Sequence, residues 1–244
     1  MIEQLKYWYR AYRYKYKVDV AEINFIIQKL GQGDVAVDIG CHKGGYLYWM
    51  QRQVGRTGYC YGFEPQPVLF SYLKKIQDLQ GWEQVNIEQM GLSSVEGSFT
   101  LNIPKTKKGS SPGATINPVD STQGVFDQVE IKTTTLDTYF LERNIQPKLI
   151  KIDVEGHELE VLKGGEQLLT THRPAILMEC EQRHLQQHTV IDVLEQLHSW
   201  GYQGQFIEGT TLKPIQEFRL ETHQQQGSGR FWEAEGYVNN FVFE

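Results

Sequence analysis

The chain has 244 residues, a formal net charge of −6 and 22% charged residues, and 40% of its residues are hydrophobic. This composition excludes a disordered or collagen-like chain, and the negative net charge argues against a protein that binds duplex nucleic acid. The length fits a single α/β domain.

The three cysteines indicate a reducing compartment. Cys41, Cys60 and Cys180 cannot all pair within one chain, and their spacing does not match a zinc site. The first residues lack the apolar run of a signal peptide, and no later stretch holds about 18 consecutive apolar residues. We therefore expect a cytoplasmic protein that is neither secreted by that route nor membrane-spanning.

Residues 1–30 predict an N-terminal helical extension, followed by the main domain at residues 31–244. Apolar and aromatic residues recur at helical spacing over residues 5–17, with basic residues between them, and a second helical pattern covers residues 20–30. The first helix packs either on the body of the domain or on a second subunit, which would make a homo-oligomer. The alternative is a basic aromatic surface for anionic lipid or an anionic substrate.

The next stretch, Val35 to Gly45, predicts a buried strand, a tight turn and the start of a helix. Gly40 and Gly44 let the backbone turn sharply and let a ligand approach main-chain N–H groups. Asp38, at the carboxyl end of the strand, offers an acceptor in the crevice where open α/β sheets bind ligands. We expect these three residues to hold a cofactor.

A second strand over residues 59–63 ends at Glu64 and Pro65. Glu64 follows Gly44 by twenty positions, about the distance at which nucleotide-binding folds place the acid that bonds ribose hydroxyls. A carboxylate can accept from both hydroxyls of an adenosine ribose. We expect Glu64 and Pro65 to lie at the cofactor.

The glycine spacing distinguishes between cofactors. Dinucleotide binding uses G-x-G-x-x-G, but Cys41, His42 and Lys43 separate Gly40 from Gly44. An acid before the turn favours an uncharged or cationic ligand over a pyrophosphate, and S-adenosylmethionine fits that description. We expect His42 to contact this cofactor. A nucleotide-binding oxidoreductase of the Rossmann type, using NAD(P), is the alternative, and the missing glycine counts against it.

The rest of the chain alternates helices and strands, which predicts a doubly wound α/β sheet. The predicted helices cover residues 67–80, 136–144, 157–169 and 190–200, and the predicted strands cover residues 85–89, 98–103, 128–133, 175–178, 202–207 and 237–243, with a further strand starting at residue 149.

Two loops are expected near the ligand. Gly91 and Leu92 follow a predicted strand and are expected to line the adenine end of the cofactor site. A polar insertion at about 104–127 is either a lid or substrate-recognition loop or an excursion with no part in the site.

Four motifs in this order resemble the FkbM family of S-adenosylmethionine-dependent methyltransferases: Val37–Gly44, Phe63–Pro65, Lys151–Gly164 and Arg173–Glu179. The resemblance covers roughly residues 35–180. It implies a doubly wound, seven-stranded, Rossmann-like methyltransferase sheet with an antiparallel last strand. It also implies methyl transfer to a hydroxyl oxygen of a small molecule or sugar. The chain has Cys41-His42-Lys43 where Ala-Asn-x is commoner in the family.

A hydroxyl acceptor must lose its proton, and a positioned base contributes about 10²–10⁴-fold to such a step. Asp153 and Glu155 end an apolar strand that faces the expected site of transfer. We interpret Glu155 as the first candidate for the base, with Asp153 as an alternative that could instead bind the methionine end of the cofactor or cap the next helix. His157 and His42 are the other candidates.

Two further readings stay open. Asp153 and Glu179 end strands that are expected to be neighbours, so they could bind Mg²⁺, although a metal is not expected. The chain could also be a non-catalytic assembly protein that kept the cofactor-binding sheet.

Overall fold

The computed structural model describes residues 2–106, 111–119 and 124–244. Within these residues the chain forms eight α-helices and eleven strands. The helices are α1 (Ile2–Arg13), α2 (Val20–Lys29), α3 (Gly45–Val54), α4 (Pro67–Gln80), α5 (Glu158–Lys163), α6 (Glu166–His172), α7 (Val190–Ser199) and α8 (Leu220–His223). The strands are β1 (Val35–Ile39), β2 (Tyr59–Phe63), β3 (Val85–Glu88), β4 (Gly91–Leu92), β5 (Gly97–Pro104), β6 (Phe126–Thr134), β7 (Leu149–Ile152), β8 (Ala175–Glu179), β9 (Gly204–Glu208), β10 (Thr211–Pro214) and β11 (Asn240–Phe243).

The main sheet has the strand order β10-β9-β11-β8-β7-β1-β2-β3. Strands β3, β2, β1, β7 and β8 are parallel, whereas β11 is antiparallel to both β8 and β9. This confirms the predicted α/β sheet with an antiparallel last strand. An eighth strand, β10, extends the edge beyond the seven expected strands by pairing with β9. Its sequence, Thr-Leu-Lys-Pro, is too short and polar to show a strand pattern.

Helices cover both faces of this sheet, which is why its central strands are buried on both sides. Side chains along β8 alternate between two cores: Ile176 and Met178 pack in the core with α5, α6 and α7, whereas Ala175 and Leu177 pack in the core with α1 to α4. All four residues of β7 are buried.

The N-terminal helices belong to the second of these cores. Tyr7 of α1 is fully buried, and its hydroxyl donates to the carbonyl of Gly44 at 2.6 Å. The Trp49 indole donates to the Ala11 carbonyl at 2.9 Å. The first helix therefore packs on the body of the domain.

The first helix ends earlier than predicted from residues 5–17. The α-helix stops at Arg13, and a π-helical turn, Tyr14–Val18, follows it. Tyr14 packs directly on Gly45, where an added Cβ would lie 2.5 Å from the Tyr14 ring. The wider turn thus puts an aromatic ring against the start of α3, which apolar periodicity alone does not predict.

Two other predicted helices also differ. The helix predicted over residues 136–144 is a π-helical turn, Asp137–Leu141. The helix predicted over residues 157–169 is divided between α5 and α6. The break falls at Gly164, where a Cβ would lie 2.0 Å from the carbonyl oxygen of Ser93, so the chain approaches too closely for an ordinary side chain.

A separate sheet with the order β4-β6-β5 lies beside the main sheet. Strands β5 and β6 pair with each other and flank the insertion predicted at 104–127. Within this insertion, residues 107–110 and 120–123 lie outside the described residues. Residues 111–119 fold back onto β5, where Thr115 forms an antiparallel bridge with Asn102. No helix in the described ranges is long and apolar enough to cross a membrane.

Candidate functional site

A cavity of about 670 Å³ opens at the carboxyl ends of β1, β2, β7 and β8. Most of the residues predicted for the site line it: Asp38, Gly40, His42, Glu64, Pro65, Gly91, Leu92, Asp153, Glu155 and His157. Further walls come from the N-terminal turn, from residues 112–116 and from two later loops. The topology thus brings residues that are far apart in sequence to one edge of the sheet.

Gly40 and Gly44 both adopt positive φ angles, 77° and 70°, but they serve different contacts. An added Cβ at Gly40 would lie 1.8 Å from the carbonyl oxygen of Asp153, so glycine lets the loops after β1 and β7 approach each other. Gly44 does not line the cavity. Its carbonyl accepts from Tyr7, and a Cβ there would lie 2.9 Å from Leu73. Both glycines therefore serve chain packing directly.

Asp38 is a buried acid facing the cavity, and neither of its oxygens has a hydrogen-bond partner among the described residues. Burial, opposed by Lys151 and assisted by Asp153, raises the pKa of this carboxyl to about 6. A buried acceptor without a donor costs free energy unless a ligand supplies one. Asp38 therefore fits a cationic or N–H-bearing group of a cofactor.

Lys151 lies beside Asp38 because the two residues are register partners on β7 and β1. Its Nζ atom is 3.1 Å from Oδ2 of Asp153 and 3.9 Å from Oδ1 of Asp38, and it lies 4.6 Å from the centre of the Tyr46 ring. Burial alone would lower the pKa of this ammonium, but Asp153, Asp38 and Glu179 raise it above its ordinary value. Lys151 is therefore a fixed positive charge beneath the acids.

Glu64 is also buried at the end of β2, where its Oε1 accepts from the backbone N–H of Gln66 at 3.0 Å. Burial raises the pKa of this carboxyl to about 8. The Gln66 side chain exchanges two hydrogen bonds with the backbone of Ser111, at 3.0 and 3.2 Å. These bonds join Ser111, in the described part of the insertion, to the loop after β2.

Glu155 is paired with a basic residue, His184. Its Oε2 lies 2.7 Å from Nε2 of His184, and its backbone has a φ of 53°. Burial opposes protonation of His184, yet the Glu155 carboxylate raises the pKa of that imidazole above its ordinary value. Arg183 and Glu181 form a second pair beside it, with two contacts of 2.7 Å. Glu155 and His184 thus form an acid–base pair at the cavity wall.

The two histidines predicted as candidate bases, His157 and His42, have different surroundings. Nε2 of His157 lies 2.9 Å from Oγ of Ser93, and burial lowers the pKa of the His157 ring. His42 has a buried Nε2 without a partner among the described residues, and burial together with Lys43 lowers its pKa to about 4. Both rings are therefore neutral at pH 7, and the His157 ring already forms a hydrogen bond with the Ser93 hydroxyl.

The acids considered for a metal are held by other groups. Asp153 is paired with Lys151, and Glu179 accepts from Nδ2 of Asn239 at 2.8 Å. Across residues 2–106, 111–119 and 124–244, no three His, Cys, Asp or Glu side chains are grouped to hold an ion.

Three residues that line the cavity have no role predicted from the sequence: Lys151, His184 and Trp232. The position of Lys151 could have been recognised from the sequence, because it is the one charged residue in an otherwise apolar strand, β7, whose residues are all buried. His184 lies in a turn after β8 and Trp232 lies in a short 3-10 turn after α8, and no periodic sequence pattern predicts either position. Arg183, whose guanidinium lies 4.4 Å above the Trp232 ring, belongs to the same group.

Comparison with known proteins places this site in a family context. Residues 38–203 match the family described as the methyltransferase FkbM domain. The hexuronic acid methyltransferase AglP of Haloferax volcanii is 29% identical over 143 residues, covering 58% of this chain and 54% of that protein. Methyltransferase 1 of Beauveria bassiana is 24% identical over 142 residues, covering 52% and 57%. The chain thus spans about half the length of the curated relatives it matches.

A solved structure supports the fold. The crystal structure of methyltransferase FkbM from Methylobacillus flagellatus aligns with a TM-score of 0.53 at 14% identity, over 87% of this chain and 44% of that one. At this identity the likeness concerns the fold alone.

Proposed function

This chain belongs to the FkbM methyltransferase family, and on that premise we propose that it transfers the methyl group of S-adenosylmethionine to a hydroxyl oxygen of a sugar or another small molecule. The observation that carries the proposal is Asp38, a buried carboxylate that faces the cavity and has no hydrogen-bond partner among the described residues, with Lys151 at ion-pair distance. The cofactor carries an ammonium group, two ribose hydroxyls and a sulfonium. Asp38 and Glu64 match the first two groups in charge and hydrogen-bonding capacity.

When bound, S-adenosylmethionine supplies a methyl carbon that the sulfonium has already activated. The residues of the chain then have two tasks, which are to orient the acceptor and to take its proton. Glu155 is the base in this proposal, and His184 at 2.7 Å holds the carboxylate in place and stabilises its negative charge. Lys151 holds the Asp153 side chain beside it through an ion pair.

The residues that line the cavity and the name of one relative both support a sugar acceptor. The rings of Tyr14, Tyr46 and Trp232 line the cavity, and flat aromatic surfaces with nearby polar groups are typical of sites that take small ligands. One relative is named as a hexuronic acid methyltransferase. We propose hexuronic acids and their neutral counterparts as the first acceptors to test. Because the described cysteines are all unpaired, we also propose a cytoplasmic location.

Calorimetric titration with S-adenosylmethionine tests the cofactor site. We expect Asp38→Asn and Glu64→Ala each to weaken binding by about 1–3 kcal/mol, since the first removes a buried negative charge and the second removes a buried hydrogen-bonding carboxyl group. Glu88→Ala is the matched control, because Glu88 also ends a strand but binds the Tyr139 hydroxyl outside the cavity. Wild-type protein that fails to bind the cofactor would overturn the proposal, and a nicotinamide nucleotide bound in its place would favour the oxidoreductase alternative.

Transfer itself is tested with isotopically labelled cofactor and a panel of hexuronic acids and neutral sugars. We expect label in an O-methyl group, located by mass spectrometry and NMR. Cofactor binding without transfer to any hydroxylated acceptor of a broad panel would favour a non-catalytic assembly protein.

A further inference from the structure

Helix α1 has two apolar faces, one buried and the other exposed except where the Tyr12 ring contacts Tyr48 and Trp49. Tyr7 and Ala11 are fully buried against the domain. On the opposite side, aromatic and aliphatic residues at positions i, i+3, i+7, i+10 and i+14 form one exposed stripe that continues into the π-helical turn. The members of this aromatic stripe are Ile2, Leu5, Tyr9, Tyr12 and Tyr16.

The aromatic stripe is unusually exposed for its composition. Tyr9 is 72% exposed and Ile2 is 69% exposed. A water-facing helix surface normally carries polar residues, and a contiguous apolar patch on a folded domain marks an interaction site. The exposed face of α1 is therefore built to contact something outside the domain.

The charge around the stripe identifies the occupant. Residues 1–18 hold five basic residues and one acid, a net charge of +4, whereas residues 19–244 hold nineteen basic and twenty-nine acidic residues, a net charge of −10. Lys6, Arg13 and Lys17 flank the stripe and are exposed, and no described acid lies within ion-pair distance of them. The lone acid, Glu3, is paired with Lys75.

We propose that the aromatic stripe and its basic flank dock the protein on a bilayer surface that contains anionic lipids. Tyrosine and tryptophan favour the boundary between headgroups and acyl chains, and each lysine or arginine near the surface is attracted by the negative potential of anionic lipids. A surface helix with apolar residues on one side and basic residues beside them is the pattern for binding in the plane of that interface.

A second copy of the chain fits this surface less well. In a symmetric dimer the same patch faces itself, so Lys6, Arg13 and Lys17 of both copies would lie near one another. Like charges across an interface are unfavourable unless counter-charges separate them. The membrane surface supplies those counter-charges.

The docking face adjoins the cavity, because Arg13 belongs to the basic flank and also lines the cavity, together with Tyr14 and Val18. The docking proposal rests only on α1 and its turn, so it stands or falls independently of methyl transfer.

Sedimentation of full-length protein with vesicles tests the proposal. We expect binding to vesicles of phosphatidylcholine with a quarter phosphatidylglycerol, at least about tenfold tighter than to phosphatidylcholine alone, and weakening as salt is raised. Leu5→Ser with Tyr9→Ser should abolish most of this binding. Lys6→Ser with Lys17→Ser should weaken it at least about tenfold on anionic vesicles only.

Two matched controls separate these effects from general changes in the surface. Val68→Ser with Val95→Ser removes exposed apolar residues elsewhere, and Lys132→Ser with Lys148→Ser removes exposed charges elsewhere. Both should bind like wild type. Equal binding to neutral vesicles, or full binding by the stripe variant, would overturn the proposal. A dimer that the stripe variant disrupts, without any vesicle binding by wild type, would assign the surface to a second copy instead.

Discussion

At the scale of single residues, the acids of the cavity differ in what neutralises them. Asp153 is held by Lys151, whereas Glu155 is held by a group that itself exchanges protons, His184. Two titrating groups at 2.7 Å share their protons, so they act as one unit with macroscopic pKa values. This makes Glu155 a better base than Asp153, whose partner keeps its charge at every relevant pH.

Replacing Glu155 by glutamine tests that assignment. We expect kcat to fall by about 10²–10⁴-fold, because the amide cannot accept the acceptor proton, while affinity for S-adenosylmethionine changes little. The pH–rate profile should also lose its acid limb. Single-turnover and steady-state measurements with an acceptor from the labelling experiment give both quantities.

Glu160→Gln is the control, since Glu160 lies on α5, bonds Ser94 and Lys163, and is absent from the cavity wall. If Glu155→Gln kept the wild-type kcat, the proton would have to pass to another group, and His42 would be the next to test.

At the scale of elements, the loop after β1 depends on one glycine for steric reasons. The close approach of Gly40 to Asp153 leaves no room for a Cβ, and its φ of 77° is unfavourable for any other residue. Gly209, in the turn between β9 and β10, has a φ of 61° with no atom within 4 Å of an added Cβ. A substitution at Gly40 therefore causes both a steric clash and backbone strain, whereas a substitution at Gly209 causes backbone strain alone.

We predict that Gly40→Ala lowers the free energy of unfolding by at least about 3 kcal/mol, or prevents folding, because β1 and β7 would have to separate. Gly209→Ala should cost about 1 kcal/mol, which is the strain alone. Urea unfolding followed by circular dichroism measures both. Equal losses in the two variants would mean that the loop after β1 moves to admit the extra atom.

Most helices and strands could be predicted from the sequence. The features that could not be predicted depend on contacts with residues that are distant in the sequence. Helix α4 matches its predicted bounds of 67–80, since apolar periodicity and the proline at its start are local signals. The turn at Tyr14–Val18 and the break at Gly164 depend on atoms far along the chain, Gly45 and Ser93. The same is true of His184, which meets Glu155 only because β7 and β8 are neighbours.

At the scale of the whole molecule, buried carboxyl groups make stability depend on pH. Burial raises the pKa of Glu22 and Glu158 to about 7 and that of Glu64 to about 8. The folded chain therefore binds these protons more tightly than the unfolded chain does. Stability consequently falls as pH rises through these values.

We predict that the free energy of unfolding, without cofactor, drops by about 1–3 kcal/mol between pH 6.5 and pH 8. The lowered pKa values of His42 and His157 do not oppose this trend, because they act below pH 6.5. Urea titrations at several pH values measure the slope, which Glu64→Gln should reduce and Glu88→Gln should leave unchanged. A flat or rising curve would contradict the prediction.

The hydrogen bond from Tyr7 to Gly44 has a consequence for regulation. It joins the face of α1 opposite the aromatic stripe to the turn that carries Gly40 and His42, with a distance of 2.6 Å in a buried setting. A bilayer that fixes α1 would thereby restrain this turn, and coupling free energy is reciprocal. Whatever factor lipid binding applies to the affinity for the methyl donor, binding of the donor would then apply the same factor to the affinity for lipid.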